Sequence, residues 1–493
     1  MKAKERSSLL PNKEGLPQIG QGQGNNRMPF HHPLEGAGEL CRMDATALAK
    51  AYRTRSLSPV EVAKAAMDRA EEVNTDLNAF THIDRDGALA AAAASERRWK
   101  DGVSLSEVDG VPTTLKDIVW VEGWSVRYGS TTTPAQPYAE DAPSVARLRK
   151  AGAVFIAQTT TPEFGWKAVT DSTLFGATRN PWNKAKTPGG SSGGAAVAAA
   201  VGAGVFHLGT DGGGSIRIPA SFTGIVGHKP TFGRVPAHPL SAFGTVAHIG
   251  PMARSAGDAA TMLKTMSGRD LRDWSQGAGK LAPLDHEAPI DLSGKRIGYW
   301  SMPASGTLDP EVAGVVDAAV ARLSATGAMV QPVDLPADNL LDLFHHHWFT
   351  GAAARLATIP DADRKAIDPG FLEVARAGAA YSSTDLVLAQ GRRAEYGAAM
   401  DLLLVEYDFL VSPGTALPAF DAGLEVPAES AFGRWTEWAG FAFPINLSQQ
   451  PACVVPCGLT AAGLPIGFQI IGARGDDASV LSAAASLEVI FSR

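Results

Sequence analysis

Apolar residues begin to recur at helical spacing just after residue 57. In SPVEVAKAAMDRAEEVN, Val62, Ala65, Ala66 and Ala70 fall on one face, which predicts an amphipathic helix. Ser58 stands as its N-cap, Pro59 at the first helical position and Glu61 at the third, a capping box with proline where its missing N–H is not needed. The pattern then alternates. LNAFTHI reads as a short strand, RDGALAAAAASERRWK as a helix, SVARLRKAG as a helix ending on Gly152, and GAVFIAQTTTP as another strand. GKRIGYW, DPEVAGVVDAAVARLSATG (capped by Asp309) and AMVQPVDLP give strand, helix and strand, a β-α-β unit that calls for parallel pairing with helices outside. YDFLVSP, PACVVPCG and LPIGFQIIG add three strands, and a helix from about Ala478 closes the chain.

Between these elements, Gly193 to Gly209 is weakly polar, glycine-punctuated and too short to span a bilayer. It reads as a buried helix followed by a strand. Residues 1–35 are rich in Gly, Gln, Asn and Pro without clear period, and read as an N-terminal arm. No linker or internal repeat divides residues 36–493, so the expectation is one large α/β domain.

Composition sharpens this picture. The chain has 493 residues, 45% of them apolar and 19% charged, enough to bury a large core and inconsistent with wholesale disorder. The net charge of −7, with no long basic run, argues against nucleic acid or an anionic membrane as the main partner. Three cysteines, Cys41, Cys453 and Cys457, make no disulfide framework, and no metal-ligand set surrounds them; buried structural cysteines are expected. The N-terminus has no apolar signal region, so a cytoplasmic location is the default expectation.

The candidate chemistry lies in TPGGSSGGAAVAAAVGAGVFHLGTDGGGSIRIPA, Thr187 to Ala220. GGSSGG contains G-x-S-x-G centred on Ser192, the pattern of a nucleophile elbow. An elbow needs a strand running in, and RNPWNKAKTP, with two prolines and two lysines, supplies none. No phosphate-loop pattern is present: GAGVFH fails G-x-G-x-x-G at its last position. The second island, TDGGGSIR, is more informative. Glycines let successive N–H groups converge into an anion nest, and Ser215 follows directly. Acyl transfer needs a hydroxyl beside such a nest, where one donor is worth about a hundred- to a thousandfold in rate. Asp211 and Arg217 flank the turn with opposite charges and are read as pinning it.

The proton acceptor is less obvious. No histidine has a telling spacing, and His345–His347 lie in an amphipathic helical stretch. Lys116, in DGVPTTLKDIVWVEG, reads alone as a solvated strand-end lysine. It would serve as a base only if burial moved it about 3–5 units below its ~10.4 reference.

Together these segments resemble the amidase signature family. GVPTTLKD, TPGGSSGG, GTDGGGSIRIPA and GIVGHKPTFGRVP occur in the family's order, with TTTPEFG, FGATRNPWN and PINLSQQPACVVPCGLTAAGLPIGFQIIG extending the likeness from about Leu40 to the end. The resemblance implies a single α/β/α domain around a mixed, mostly parallel twisted sheet, and a cofactor-free Ser-cisSer-Lys triad. Ser215 would be the nucleophile, Ser191, joined to Gly190 by a cis peptide, the proton bridge, and Lys116 the general base. Backbone amides of Gly212, Gly213, Gly214 and Ser215 would form the oxyanion hole, and Ser192 would support the turn. Two residues depart from the family: Ala199 is smaller and His207 larger than usual, and both read as repacked core. FGRWTEWAGFAFP is aromatic, so Trp435 and Trp438, with Trp166, are candidate pocket residues for a hydrophobic or aryl amide. The expected activity is hydrolysis of such a small-molecule amide, with side activity on esters and scope for a homodimer. The alternatives are the glutamine-hydrolysing subunit of an amidotransferase and a catalytically silent binding protein on the same fold.

Overall fold

The computed structural model describes residues 32–276, 284 and 289–492. Every helix and strand read from the hydrophobic pattern forms. The 59–77 helix starts on the expected capping box: Ser58 Oγ accepts from Val60 N at 3.0 Å and Glu61 accepts from Ser58 N at 2.9 Å. Asp309 likewise accepts from Glu311 N at 2.8 Å.

Eleven strands form one sheet: β1 (Phe80–Ile83), β2 (Pro112–Lys116), β3 (Val154–Thr159), β4 (Phe206–Asp211), β5 (Val226–Lys229), β6 (His248–Ala253), β7 (Arg296–Tyr299), β8 (Met329–Pro332), β9 (Phe409–Pro413), β10 (Ala452–Leu459) and β11 (Pro465–Ile471). Their order is β1-β3-β2-β4-β6-β5-β10-β11-β9-β7-β8. The β7–β8 pair is parallel across the helix Pro310–Ser324, as the β-α-β pattern requires. Parallel pairing, expected to dominate, is confined to two wings, β3-β2-β4 and β9-β7-β8. The run from β4 to β9 is antiparallel. Part of the reason is chain length: residues 460–464 alone join β10 to β11, too few for a crossover.

Helices cover both faces, giving the α/β/α layering. The helices Gly193–Val201 and Arg217–Thr223 are buried along their whole length; the first has no polar face at all, and the polar side chains of the second, Arg217 among them, are buried with it. Cys41, Cys453 and Cys457 are buried free thiols, as expected. Most of the expected N-terminal arm, residues 1–31, lies outside the described residues. Its last part is packed: Arg69 Nη2 donates to Pro33 O at 3.1 Å. Among the described residues no helix is long and apolar enough to cross a membrane.

Candidate active site

β2 and β4 are parallel neighbours, in register Leu115 to Leu208, so Lys116 and Thr210 emerge at the same carboxyl edge. Crevices outside the carboxyl ends of parallel strands are where α/β sheets gather ligands. The two glycine islands meet there. GGSSGG leads into the 193–201 helix, TDGGGS follows β4, and Ser192 N donates to Ser215 O at 3.1 Å, tying one to the other. The Gly190–Ser191 peptide is cis. A Cβ on Gly190 would lie 2.5 Å from the Val169 carbonyl, so no larger residue fits.

Lys116 is fully buried. Its Nζ lies 2.8 Å from Ser191 Oγ, 2.9 Å from Ser192 Oγ and 2.9 Å from Thr210 Oγ1, and among the described residues no carboxylate touches it. Burial drives the lysine well below its ordinary value; the charge of Asp211 opposes this only in part. A neutral amine has two N–H donors and one lone pair. Ser192 spends its own proton on Thr210 O at 3.1 Å, so it can only accept from Lys116. The Ser191 hydroxyl has no such commitment and is free to donate into the lone pair. The two adjacent serines thus make different hydrogen bonds.

Ser215 is 5% exposed, and its hydroxyl makes no hydrogen bond to another described residue. The turn before it is fixed from behind. Arg217 donates to both Asp211 oxygens at 3.0 and 2.9 Å, with both side chains completely buried. Arg217 also donates to Asn446 Oδ1, Gln469 Oε1 and Ala442 O, and Asn446 Nδ2 returns to Asp211. Burial alone would raise the Asp211 carboxyl; the Arg217 guanidinium outweighs it and holds the group below the usual range. The flanking charges therefore pair, as read.

One expectation changes. The Gly214 N–H donates to Asp211 Oδ1 at 2.8 Å, so it belongs to the support of the turn. Gly212, Gly213 and Ser215 keep amides with no protein acceptor among the described residues. The nest narrows from four donors to three.

Aromatic rings roof this nest. A Cβ on Gly213 would meet Trp435 at 2.7 Å and Phe344 at 2.9 Å, and one on Gly212 would meet Trp348 at 2.7 Å. Trp435 thus lies over the site. Trp166 stands behind it, its carbonyl accepting from Trp348 Nε1 at 3.1 Å. Trp438 stacks on Phe222 at 6.2 Å and donates to Glu425 O, within the core. Phe344 and Trp348 are site residues that the motifs do not mark. A signal for them exists: in FHHHWF they stand four apart, on one face of the helix Leu340–Ala357.

His207 does not reach the site. It bonds Thr114 Oγ1 at 2.8 Å, and burial pushes its pKa down to about 3. Ala199 packs in a cluster with Ile216, Ala220 and Met252, beneath the turn that carries Ser215. Among the described residues no group of His, Cys, Asp or Glu is placed to hold a metal.

The Amidase family profile matches residues 61–481. The acylamidase of Rhodococcus erythropolis is 32% identical over 91% of this chain and 95% of its own length. The A subunit of the glutamyl-tRNA(Gln) amidotransferase of Koribacter versatilis is 32% identical over 90% and 97%. Among solved structures, a bacterial aryl acylamidase superposes with TM-score 0.84 at 29% identity, covering 92% of this chain and 96% of that one. A 6-aminohexanoate cyclic dimer hydrolase superposes with TM-score 0.82 at 28% identity, covering 92% and 98%. With a match across most of its length, the chain belongs to the amidase signature family, whose chemistry is hydrolysis of amide carbon–nitrogen bonds.

Proposed function

We propose that the protein hydrolyses a hydrophobic or aryl carboxylic amide through an acyl-enzyme on Ser215. The observation that carries this reading is the buried Lys116 amine held 2.8 Å from Ser191 Oγ, beside a nest of free amides. Substrate binding brings Ser215 Oγ onto Ser191. Ser191 then takes the Ser215 proton while passing its own to the Lys116 lone pair, and Ser215 Oγ attacks the carbonyl carbon. The tetrahedral oxyanion is met by the amides of Gly212, Gly213 and Ser215. On collapse the carbon–nitrogen bond breaks, and the proton returns through Ser191 to the leaving nitrogen. Water attacks the ester by the same relay and releases the acid. An ester substrate enters the same sequence, which accounts for the expected side activity.

Trp348, Trp435 and Phe344 around the nest favour apolar groups next to the scissile bond. The similarity to amidotransferase subunits favours a second reading, glutamine hydrolysis in the presence of a partner. An amide panel of anilides, aliphatic primary amides and glutamine separates the two. Turnover of anilides or hydrophobic amides by the purified chain is expected; glutamine hydrolysis arising only with a partner protein would replace this reading. A serine-directed fluorophosphonate should label Ser215, and labelling at Ser192 by mass spectrometry would refute the assignment of the nucleophile.

A further inference from the structure

A cavity of about 740 Å³ opens between the helices Leu340–Ala357 and Ser383–Glu406 and the turn Gly244–Val246. Phe243, Leu386, Ala394 and Leu447 make its walls apolar. Into it faces one cation with no counter-charge. Arg393 donates from Nε to Leu447 O at 2.8 Å, from Nη1 to Thr245 Oγ1 at 2.7 Å, and from Nη2 to Thr245 O at 3.0 Å and Asn446 O at 3.4 Å. All four acceptors are neutral, and no carboxylate pairs with Arg393 among the described residues. The other charges lining the cavity cancel: Arg474 is paired with Asp401 at 2.5 Å, and burial pushes His347 down to about 4, leaving it neutral at pH 7. A guanidinium has five N–H donors, so one Nη1 N–H remains. Gln390, three residues earlier on the same helix, lines the cavity with an amide that makes no hydrogen bond to another described residue.

A half-buried cation with a spare donor, beside apolar side chains, suits an anion with an apolar body. We propose that this cavity binds a small organic carboxylate, its oxygens accepting from Arg393 and Gln390 and its apolar part lying against Phe243 and Leu447. The wall of this cavity reaches the nest. Phe243 stacks on Trp348 with centroids 3.7 Å apart and planes 10° apart, and Trp348 abuts Gly212. The acid released by amide hydrolysis belongs to this ligand class, although the site stands on the cavity and not on that reading.

Calorimetric titration with benzoate, hexanoate, benzamide and inorganic phosphate tests this, on enzyme with Ser215 free and with Ser215 capped by a fluorophosphonate. Benzoate and hexanoate are expected to bind both forms equally, phosphate neither form, and benzamide, which the free enzyme would take at Ser215, not the capped form. Arg393→Gln should weaken benzoate by about ten- to a hundredfold, the loss of one charge-assisted hydrogen bond. Arg393 also braces Thr245 and Leu447, so a second variant guards against a folding defect. A Cβ on Gly397 meets open space, and Gly397→Leu should fill the cavity, abolish benzoate binding and leave the melting temperature unchanged. Binding that vanishes on capping, that survives Gly397→Leu, or that benzamide or phosphate matches on the capped enzyme would overturn the proposal. Failure of Ser215 to accept the label bears on the hydrolytic reading alone, because the Gly397→Leu comparison on uncapped enzyme still decides the cavity.

Discussion

Lys116 is surrounded by three hydroxyls and, among the described residues, by no carboxylate, and that choice of neighbours decides its chemistry. An ion pair would hold the ammonium charged; hydroxyls in a dry site leave it neutral and basic. Lys116→Met should therefore lower kcat/KM by about a thousandfold or more, as Ser215→Ala should, since each removes a member of the proposed relay. The lysine variant carries a second signature. The folded lysine titrates below its unfolded value, so between the two values the unfolded chain binds the extra proton and wild-type stability rises with pH. Lys116→Met removes that penalty, and its melting temperature should exceed that of the wild type at neutral pH. Catalysis carries the same sign. Activity should climb from the acid side as the amine becomes neutral and then level, and an acidic optimum in kcat/KM would contradict a lysine base.

The two glycine islands work as elements because large groups press on them from opposite sides. Asp211, Arg217 and Asn446 fix the TDGGGS turn from below, and Trp435, Phe344 and Trp348 close over it from above. Arg217→Met would leave Asp211 buried without its cation, at a cost of about 3–5 kcal/mol, visible as a large drop in denaturation midpoint. Gly213→Ala probes the other side. Its methyl would meet Trp435 and Phe344 at under 3 Å, so about 1–3 kcal/mol of overpacking is expected. Displacement of a nest amide should also cost about a hundredfold in kcat, with a smaller change in KM. Much of this element level was legible in the sequence. The caps at Ser58 and Asp309, the helix–strand reading of 193–209 and the serines of the islands all rest on local patterns. Phe344 and Trp348 do not: they arrive from over a hundred residues downstream, on a helix whose histidine run masks the aromatic pair. Gly214 escaped for another reason. Composition marks a nest, but only geometry tells which N–H is already taken by Asp211.

Across the whole molecule, the sheet sets Lys116 and Ser215 on adjacent strand ends, and distant helices brace it at the rim. The mixed strand order was not readable from periodicity, because the same alternating pattern serves parallel and antiparallel neighbours. Asp258 shows how such long-range bracing is tuned. It lies on the helix Ala256–Met266, is 4% exposed, and accepts from Ala45 N at 2.9 Å, capping the Ala45–Arg53 helix from 213 positions away. Burial pushes its carboxyl up to about 6, while the Ala45 amide pulls it back only in part. The folded value exceeds the unfolded one, so the protonated form stabilises the fold at low pH, and that contribution is lost as pH rises through 6. Asn supplies the same carbonyl acceptor without the charge. At pH 8 Asp258→Asn should therefore be more stable than the wild type by about 1–3 kcal/mol, with the difference vanishing near pH 4. Chemical denaturation at both values checks this. Equal loss of stability at both would mean that the carboxylate charge is needed where it sits, with Arg254 as the group that rewards it.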